Sequence, residues 1–340
     1  MRQNWLAVVA MMACAGAALA QGPYQVLKKE KVGGAGGFDY VYADTTGRRL
    51  YIPRTGNPAR ITVFDLDTLA SVGEISDANA RGAAVSDKSN HGFGSSKPVA
   101  MWDSKTLMPI KKIDVQGGPD GIMYDGFNDR VYVFSHIAPN ATVIDAADGS
   151  VLGTIDLGGA PEQAASDGKG HIYVDLEDKN KIAVVDAKTM MVTGQYDLAG
   201  KGGTCAGLAM DAKNNMLFAT CRNPQVMVVM NAADGNIITT LPIGQGTDGA
   251  VFNPNTMEAF SSQGDGTMTV VKENSPTSFV VEQTVQTMAS AKTLTLDKKT
   301  NRILLIAAEY GAPATPPQPG GRAGRGPMVA DSFTIVVVGK

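Results

Sequence analysis

The sequence predicts an all-β fold: a seven-bladed β-propeller of four-stranded antiparallel blades, its ring closed by the N-terminal strand joining the last blade. Three observations predict it. A unit of roughly forty residues recurs seven times, the period of four-stranded propeller blades. Nearly every segment after the first twenty residues has strand pattern, with no long helical period to suggest alternating βα units. The two ends of the chain each lack what the other supplies.

The first twenty residues stand apart. Arg2 is followed by an uninterrupted small and apolar run, Leu6 to Ala17, and by Ala18-Leu19-Ala20, a small-x-small cleavage pattern. This is the pattern of a secretory signal peptide cleaved after Ala20, too short and wrongly flanked for a lasting membrane anchor. A lipoprotein reading through Cys14 fits poorly, because Met11 and Met12 precede it. Residues 21–340 are expected to form a single propeller, periplasmic or secreted, monomeric and without a membrane span. The full chain of 340 residues is 44% hydrophobic with net charge -3, and removing the leader with Arg2 makes that -4. Such a balance gives no basic excess for counterion-driven nucleic-acid binding.

The repeat reads in order along the chain. Each unit has an apolar strand ending in Asp, a polar turn, and a strand rich in Val and Tyr. A third strand ends near another Asp, and a fourth ends before glycines. The anchors are Asp44, Asp87, Asp125, Asp167, Asp211, Asn253 and Asp297, separated by 43, 38, 42, 44, 42 and 44 residues. Before the first unit, "YQVLKKEKVGG" (Tyr24 to Gly34) is a strand with no unit of its own. Unit two, with "HGFGSSKPVAMW", departs most from the pattern, and its second strand is the least certain. Its fourth, "PIKKIDVQGG", matches the N-terminal segment. Unit three is clearest: "DGIMYD", "DRVYVFSH", "ATVIDAADG", "SVLGTIDLGG". Unit four echoes it with "EQAASD", "GHIYVDLEDKN", "KIAVVDAKT" and "VTGQYDLAG". Unit seven offers "KTLTLD", "RILLIAAE" and "SFTIVVVG", then stops without a fourth strand. Tyr24–Val32 is expected to fill that place and so hide the open sheet edges.

These units resemble those of the YVTN-type β-propeller repeat family, the YncE-like exported propellers, also WD40-like in period. "RVYVFS", "ATVIDAADGSVLGTIDLGGAPE" and "KIAVVDAKT" carry the resemblance, which covers nearly all of the chain after the leader. It implies seven blades, an exported location and a binding role that differs among members.

Functional residues are expected where inner strands open onto the channel. Five residues before each anchor stand Asp39, Gly82, Asp120, Glu162, Ala206, Asp248 and Lys292, with Arg81 one position earlier in unit two. The second strands end on the same face with Arg54, Lys97, His136, Glu177, Arg222 and Glu309. Two readings are open. In one, these residues form a polar funnel. Asp39, Asp120, Glu162 and Asp248 would hold a divalent cation through oxygen ligands, or would join Lys292, Arg81, Arg54, His136 and Arg222 around an amine, a sugar or a peptide end. In the other, the carboxylates accept backbone N–H bonds in their own tight turns. Lys292 breaks the acidic pattern and favours the funnel. No cofactor is expected, although a divalent cation is compatible with the pattern.

Other signals are weaker. "GQGTDG", Gly244 to Gly249, matches G-x-G-x-x-G, but "AVFNPNTMEAF" after it is strand and turn, with no helix N-terminus for a pyrophosphate. Cys205 and Cys221 flank a hairpin turned at "AKNN", whose pairing puts 208 near 218 and 205 near 221. A disulfide is the first reading, with a soft-metal pair and two free thiols as alternatives. His91, His136 and His171 come from different blades without ligand spacing, so a three-histidine metal site is not expected. No G-x-S-x-G or H-E-x-x-H occurs. The segment Gly311 to Asp331, rich in Pro and Gly with Arg322 and Arg325, is expected to be a disordered insertion in blade seven on the funnel face.

The expected function is non-enzymatic binding or scaffolding: recognition of a protein or a small polar ligand on the funnel face. A metal-dependent hydrolase or lactonase using the mouth carboxylates is the alternative. Single-stranded nucleic-acid binding is third, disfavoured by acidic charge and few aromatics.

Overall fold

The computed structural model describes residues 22–312 and 326–340. It contains seven four-stranded antiparallel sheets. Six are consecutive in sequence. The seventh is ordered Gln25–Lys31, Thr334–Gly339, Arg302–Ala307, Leu294–Asp297, so the N-terminal strand is the outer strand of the last blade. Gln25 pairs with Gly339 and Lys31 with Thr334, with one bulge between Val26 and Lys28.

The innermost strands are Tyr42–Asp44, Ala83–Ser86, Gly118–Asp125, Pro161–Ser166, Cys205–Asp211, Thr247–Asn253 and Leu294–Asp297. Each reaches its end at, or one residue before, a repeat anchor. The anchors recur for a local reason. Asp125, Asp167, Asp211, Asn253 and Asp297 each accept the N–H of the residue two positions on, at 2.6–3.4 Å. Asp44 accepts from Gly47 at 2.8 Å. A short acceptor side chain is what lets the chain reverse there without an unpaired donor. Third-strand ends repeat the device, as with Asp103 to Thr106 N at 2.8 Å and Asp145 to Ala147 N at 2.8 Å.

Seven apolar clusters fill the interfaces between neighbouring blades. The second strand of blade three shows why its sequence is apolar throughout. Val131 and Val133 pack toward blade two, while Tyr132 and Phe134 pack toward blade four. Side chains alternate between faces, and here both faces are buried. Outer strands such as Met191–Asp197 have one exposed face and alternate accordingly.

Unit two keeps the repeat despite its sequence. His91–Gly94 pairs with both Ala83–Ser86 and Val99–Asp103. Its glycine is required by packing. A Cβ on Gly92 would lie 2.1 Å from the indole of fully buried Trp102.

Cys205 and Cys221 are joined by a disulfide and are directly paired across the hairpin. The register shifts between Cys205 and Gly207, so Leu208 faces Ala219 rather than the expected 218. Sequence counting carried no sign of the bulge. The insertion in blade seven differs from expectation at its base, which is ordered. Tyr310 bridges to Met328, Gly311 N donates to Pro327 O at 2.8 Å, and Val329 N donates to Glu309 O at 2.8 Å. Arg322, Arg325 and the leader 1–20 lie outside the described residues.

Candidate functional site

The inner strands all open onto one rim, and there the structure assembles a closed circuit of charge. Lys292 of blade seven meets Asp39 of blade one at 3.1 Å. Arg81 of blade two reaches Asp39 at 3.4 Å and Asp120 of blade three at 3.7 Å. The His136 imidazole, also of blade three, lies 3.6 Å from Asp120 and 3.6 and 3.5 Å from Glu162 and Glu177 of blade four. Arg222 of blade five joins Glu177 to Asp248 of blade six, and Asp248 returns to Lys292. The circuit follows blade order, and every blade contributes. Where the repeat position is small, at Gly82 and Ala206, a basic side chain from another position, Arg81 or Arg222, occupies the gap.

Two expectations are revised by this geometry. None of Asp39, Asp120, Glu162 and Asp248 accepts a backbone N–H of its own turn among the described hydrogen bonds, so they are not turn-capping acids. Nor do these four form a ligand set, because Lys292, Arg81 and Arg222 stand between them. Among the described residues, the acidic and histidine side chains close enough to share an ion are instead His136, Glu162 and Glu177.

Arg54 is not part of the circuit. It is buried, donates to the carbonyls of Gly33, Gly34 and Ala35 at 3.0–3.2 Å, and lies 3.6 Å over the Phe333 ring. Burial, then the nearby Arg60, lowers its pKa to about 10, which leaves it charged at neutral pH. Lys97 donates to the Gly117 carbonyl at 2.5 Å, and the Glu309 carboxylate lies 4.0 Å from Lys31, its ion-pair partner among the described residues. His91 and His171 are engaged elsewhere, with the Ala146 carbonyl and with Asp167.

The electrostatics follow from a crowded, partly buried set with more carboxylates than permanent cations. Burial, then the charges of Glu177 and Asp120, raises the Glu162 pKa to about 7. Burial, then Asp39, raises that of Asp120. Glu177 beside the imidazole raises the His136 pKa, and His136 in turn lowers that of Glu177. On this arc His136, Glu162 and Asp120 all hold protons more tightly than the free side chains do.

Residues beneath the rim were not singled out by sequence. Tyr40, whose pKa burial holds well above its ordinary value, donates its hydroxyl to Glu162 at 3.1 Å. Gln163 spans the channel floor. Its oxygen accepts from Leu208 N at 3.1 Å and Ala250 N at 2.9 Å, and its amide donates to Ala250 O at 2.9 Å. Asp175 is fully buried, and neither carboxyl oxygen has a hydrogen-bond partner among the described residues. One signal was visible for Asp175. Counting back two from the strand ends His136 and Glu177, it stands where unit three has Phe134. A separate pocket of about 390 Å³ opens beside the rim, with Asp39, Arg81, Lys97 and Asn79 on its wall.

Comparison with known proteins fits this architecture. The chain is similar to a structure described as "Crystal Structure of Mitotic Checkpoint Complex", with TM-score 0.71 and 10% identity over 90% of this chain and 96% of that one. It is similar to the RRP9 WD40 repeats, with TM-score 0.71 and 10% identity over 94% and 99% of the two chains. It is likewise similar to U3-55K, with TM-score 0.69 and 10% identity over 92% and 98%. What these likenesses show is the fold, a β-propeller. No family model and no curated protein sequence matches the chain.

Proposed function

We propose that this propeller is an exported, non-enzymatic binding protein whose funnel mouth receives a small zwitterionic ligand, such as a short peptide with both ends free. The observation that carries this reading is the charged circuit and the pocket it opens into. Asp39 and Arg81 belong to both. The pocket wall offers Arg81 and Lys97 to a carboxylate and Asp39 to an ammonium. Arg81 is the most exposed member of the circuit, with 54% of its side chain accessible. The volume is that of a small-molecule site, and convergent charged groups on a pre-formed wall give orientation at low ordering cost. A protein partner's chain end would present one of these two charges, an ammonium or a carboxylate.

Export is supported by the leader pattern and by the Cys205–Cys221 disulfide, which suits an oxidising compartment. Membership of the YVTN-type, YncE-like repeat family is proposed on the quoted repeat residues alone.

Calorimetric titration of the full chain with trialanine tests the reading. Saturable one-to-one binding is expected, weakened at least tenfold by Arg81→Ala and by acetylating or amidating the peptide ends. Absence of binding, or equal binding of the end-blocked peptides, would overturn it.

A further inference from the structure

Three side chains on one arc of the mouth are spaced as metal ligands rather than as hydrogen-bond partners. His136 Nε2 lies 3.6 Å from Glu162 Oε1 and 3.5 Å from Glu177 Oε2, and all three atoms lie within 4.8 Å of one another. An N–H···O bond spans about 2.7–3.2 Å. Two ligand atoms sharing a tetrahedral zinc at about 2.0–2.1 Å stand roughly 3.4 Å apart.

The far oxygen of each glutamate is held from behind: Tyr40 donates to Glu162 Oε2 and Arg222 donates to Glu177 Oε1. Outer partners of this kind fix which atom of a carboxylate faces an ion. Asp120 Oδ2 faces His136 Nδ1 at 3.6 Å, beyond hydrogen-bond distance.

Asp175 is the independent observation. It leaves the strand His171–Leu176 on the same face as Glu177, and it sits opposite the bulge between Pro161 and Ala164 that carries Glu162. It is fully buried with both oxygens unpartnered. Burial, then Glu162 and Glu177, pushes its carboxyl pKa well up, so at that depth it is either held neutral by a proton or ionised beside a cation.

We propose that His136, Glu162 and Glu177 bind one first-row divalent metal ion, zinc or a near relative, with Asp175 beneath acting on it through a water. One imidazole among carboxylates selects such an ion over calcium or magnesium, which take oxygen ligands. The ion sits on the arc of blades three to five, whereas the pocket proposed for the organic ligand opens at blades one to three. Metal binding therefore needs no organic ligand.

The test is a titration of the EDTA-treated full chain with Co²⁺, followed by its visible d–d absorption and reversed by Zn²⁺. One equivalent is expected to bind. Asp175→Asn weakens it about 10–100-fold, the cost of losing an outer partner, His136→Ala and Glu177→Gln each weaken it more than that, and His171→Ala leaves it unchanged. The ¹⁵N shift of the His136 ring on adding Zn²⁺ to the unaltered chain gives the same answer without any variant. Absence of stoichiometric binding, an unmoved His136 resonance, or binding unchanged in folded His136→Ala would overturn the proposal.

Discussion

Lys292 holds two carboxylates from blades on either side of its own, Asp39 and Asp248. Its ammonium is about one-fifth exposed, between the surface regime, where an ion pair contributes little, and the buried one, where losing a partner strands a charge. Lys292→Met is expected to cost about 1–3 kcal/mol in urea unfolding, more than a surface pair and less than a fully buried one. An unchanged midpoint would mean that solvent already screens the circuit. The sequence showed Lys292 as an exception in an acidic series, and that exception was informative. Arg222 and Glu177 were legible only as strand ends, because their roles depend on which neighbour lies across the channel mouth. Asp175 was harder still. One acid at an apolar repeat position is a faint signal until its burial is known.

Single elements carry the ring closure. Tyr24 precedes the N-terminal strand and docks on blade six. Its hydroxyl donates to buried Glu258, its ring lies 5.3 Å edge-to-face from Phe260, and its backbone N and O both bond Gln283. Tyr24→Ala removes a buried aromatic and leaves Glu258 with Lys340 as its main partner. A loss of about 3–5 kcal/mol is expected by chemical denaturation. The hairpin of blade five is closed by its disulfide. Replacing both cysteines with serine is expected to cost about 3 kcal/mol, from the entropy of a loop of roughly fifteen residues.

Blades seven and one are also joined by a bidentate pair. Arg48 Nη1 and Nη2 donate to Asp297 at 2.8 and 2.9 Å. Burial alone would raise the Asp297 pKa, but Arg48, Thr300 and the Lys299 N–H outweigh it and hold the pKa below its usual value. A depressed folded pKa contributes stability that is complete above the unfolded value, about 3.9, and is lost as pH falls through the folded one. Melting temperature is therefore expected to drop below about pH 4, with a shallower drop in Arg48→Met. Equal slopes in the two proteins would remove the pair from the acid response.

At the scale of the molecule, the ring was legible because each unit repeats the same physical requirements: an acceptor at the inner-strand turn, two buried faces on the middle strands, and alternation outside. The N-terminal strand was assignable because the seventh unit ended one strand short. The mouth was only partly legible. Repeat alignment placed Asp39, Asp120, Glu162, Asp248 and Lys292 on one rim, but alignment compares equivalent positions. The circuit also uses Arg81 and a second repeat position, the strand ends His136, Glu177 and Arg222, and only three-dimensional closure brings the two sets together.

Location of binding is the central claim, and hydrogen–deuterium exchange of the full chain with and without trialanine tests it most directly. Slower exchange is expected around residues 37–39, 81, 95, 97 and 118, which line the mouth pocket. The opposite end of the channel, lined by Asp44, Asp87 and Tyr124, should be unchanged. Protection confined to that opposite end, or none anywhere at saturating peptide, would contradict the account.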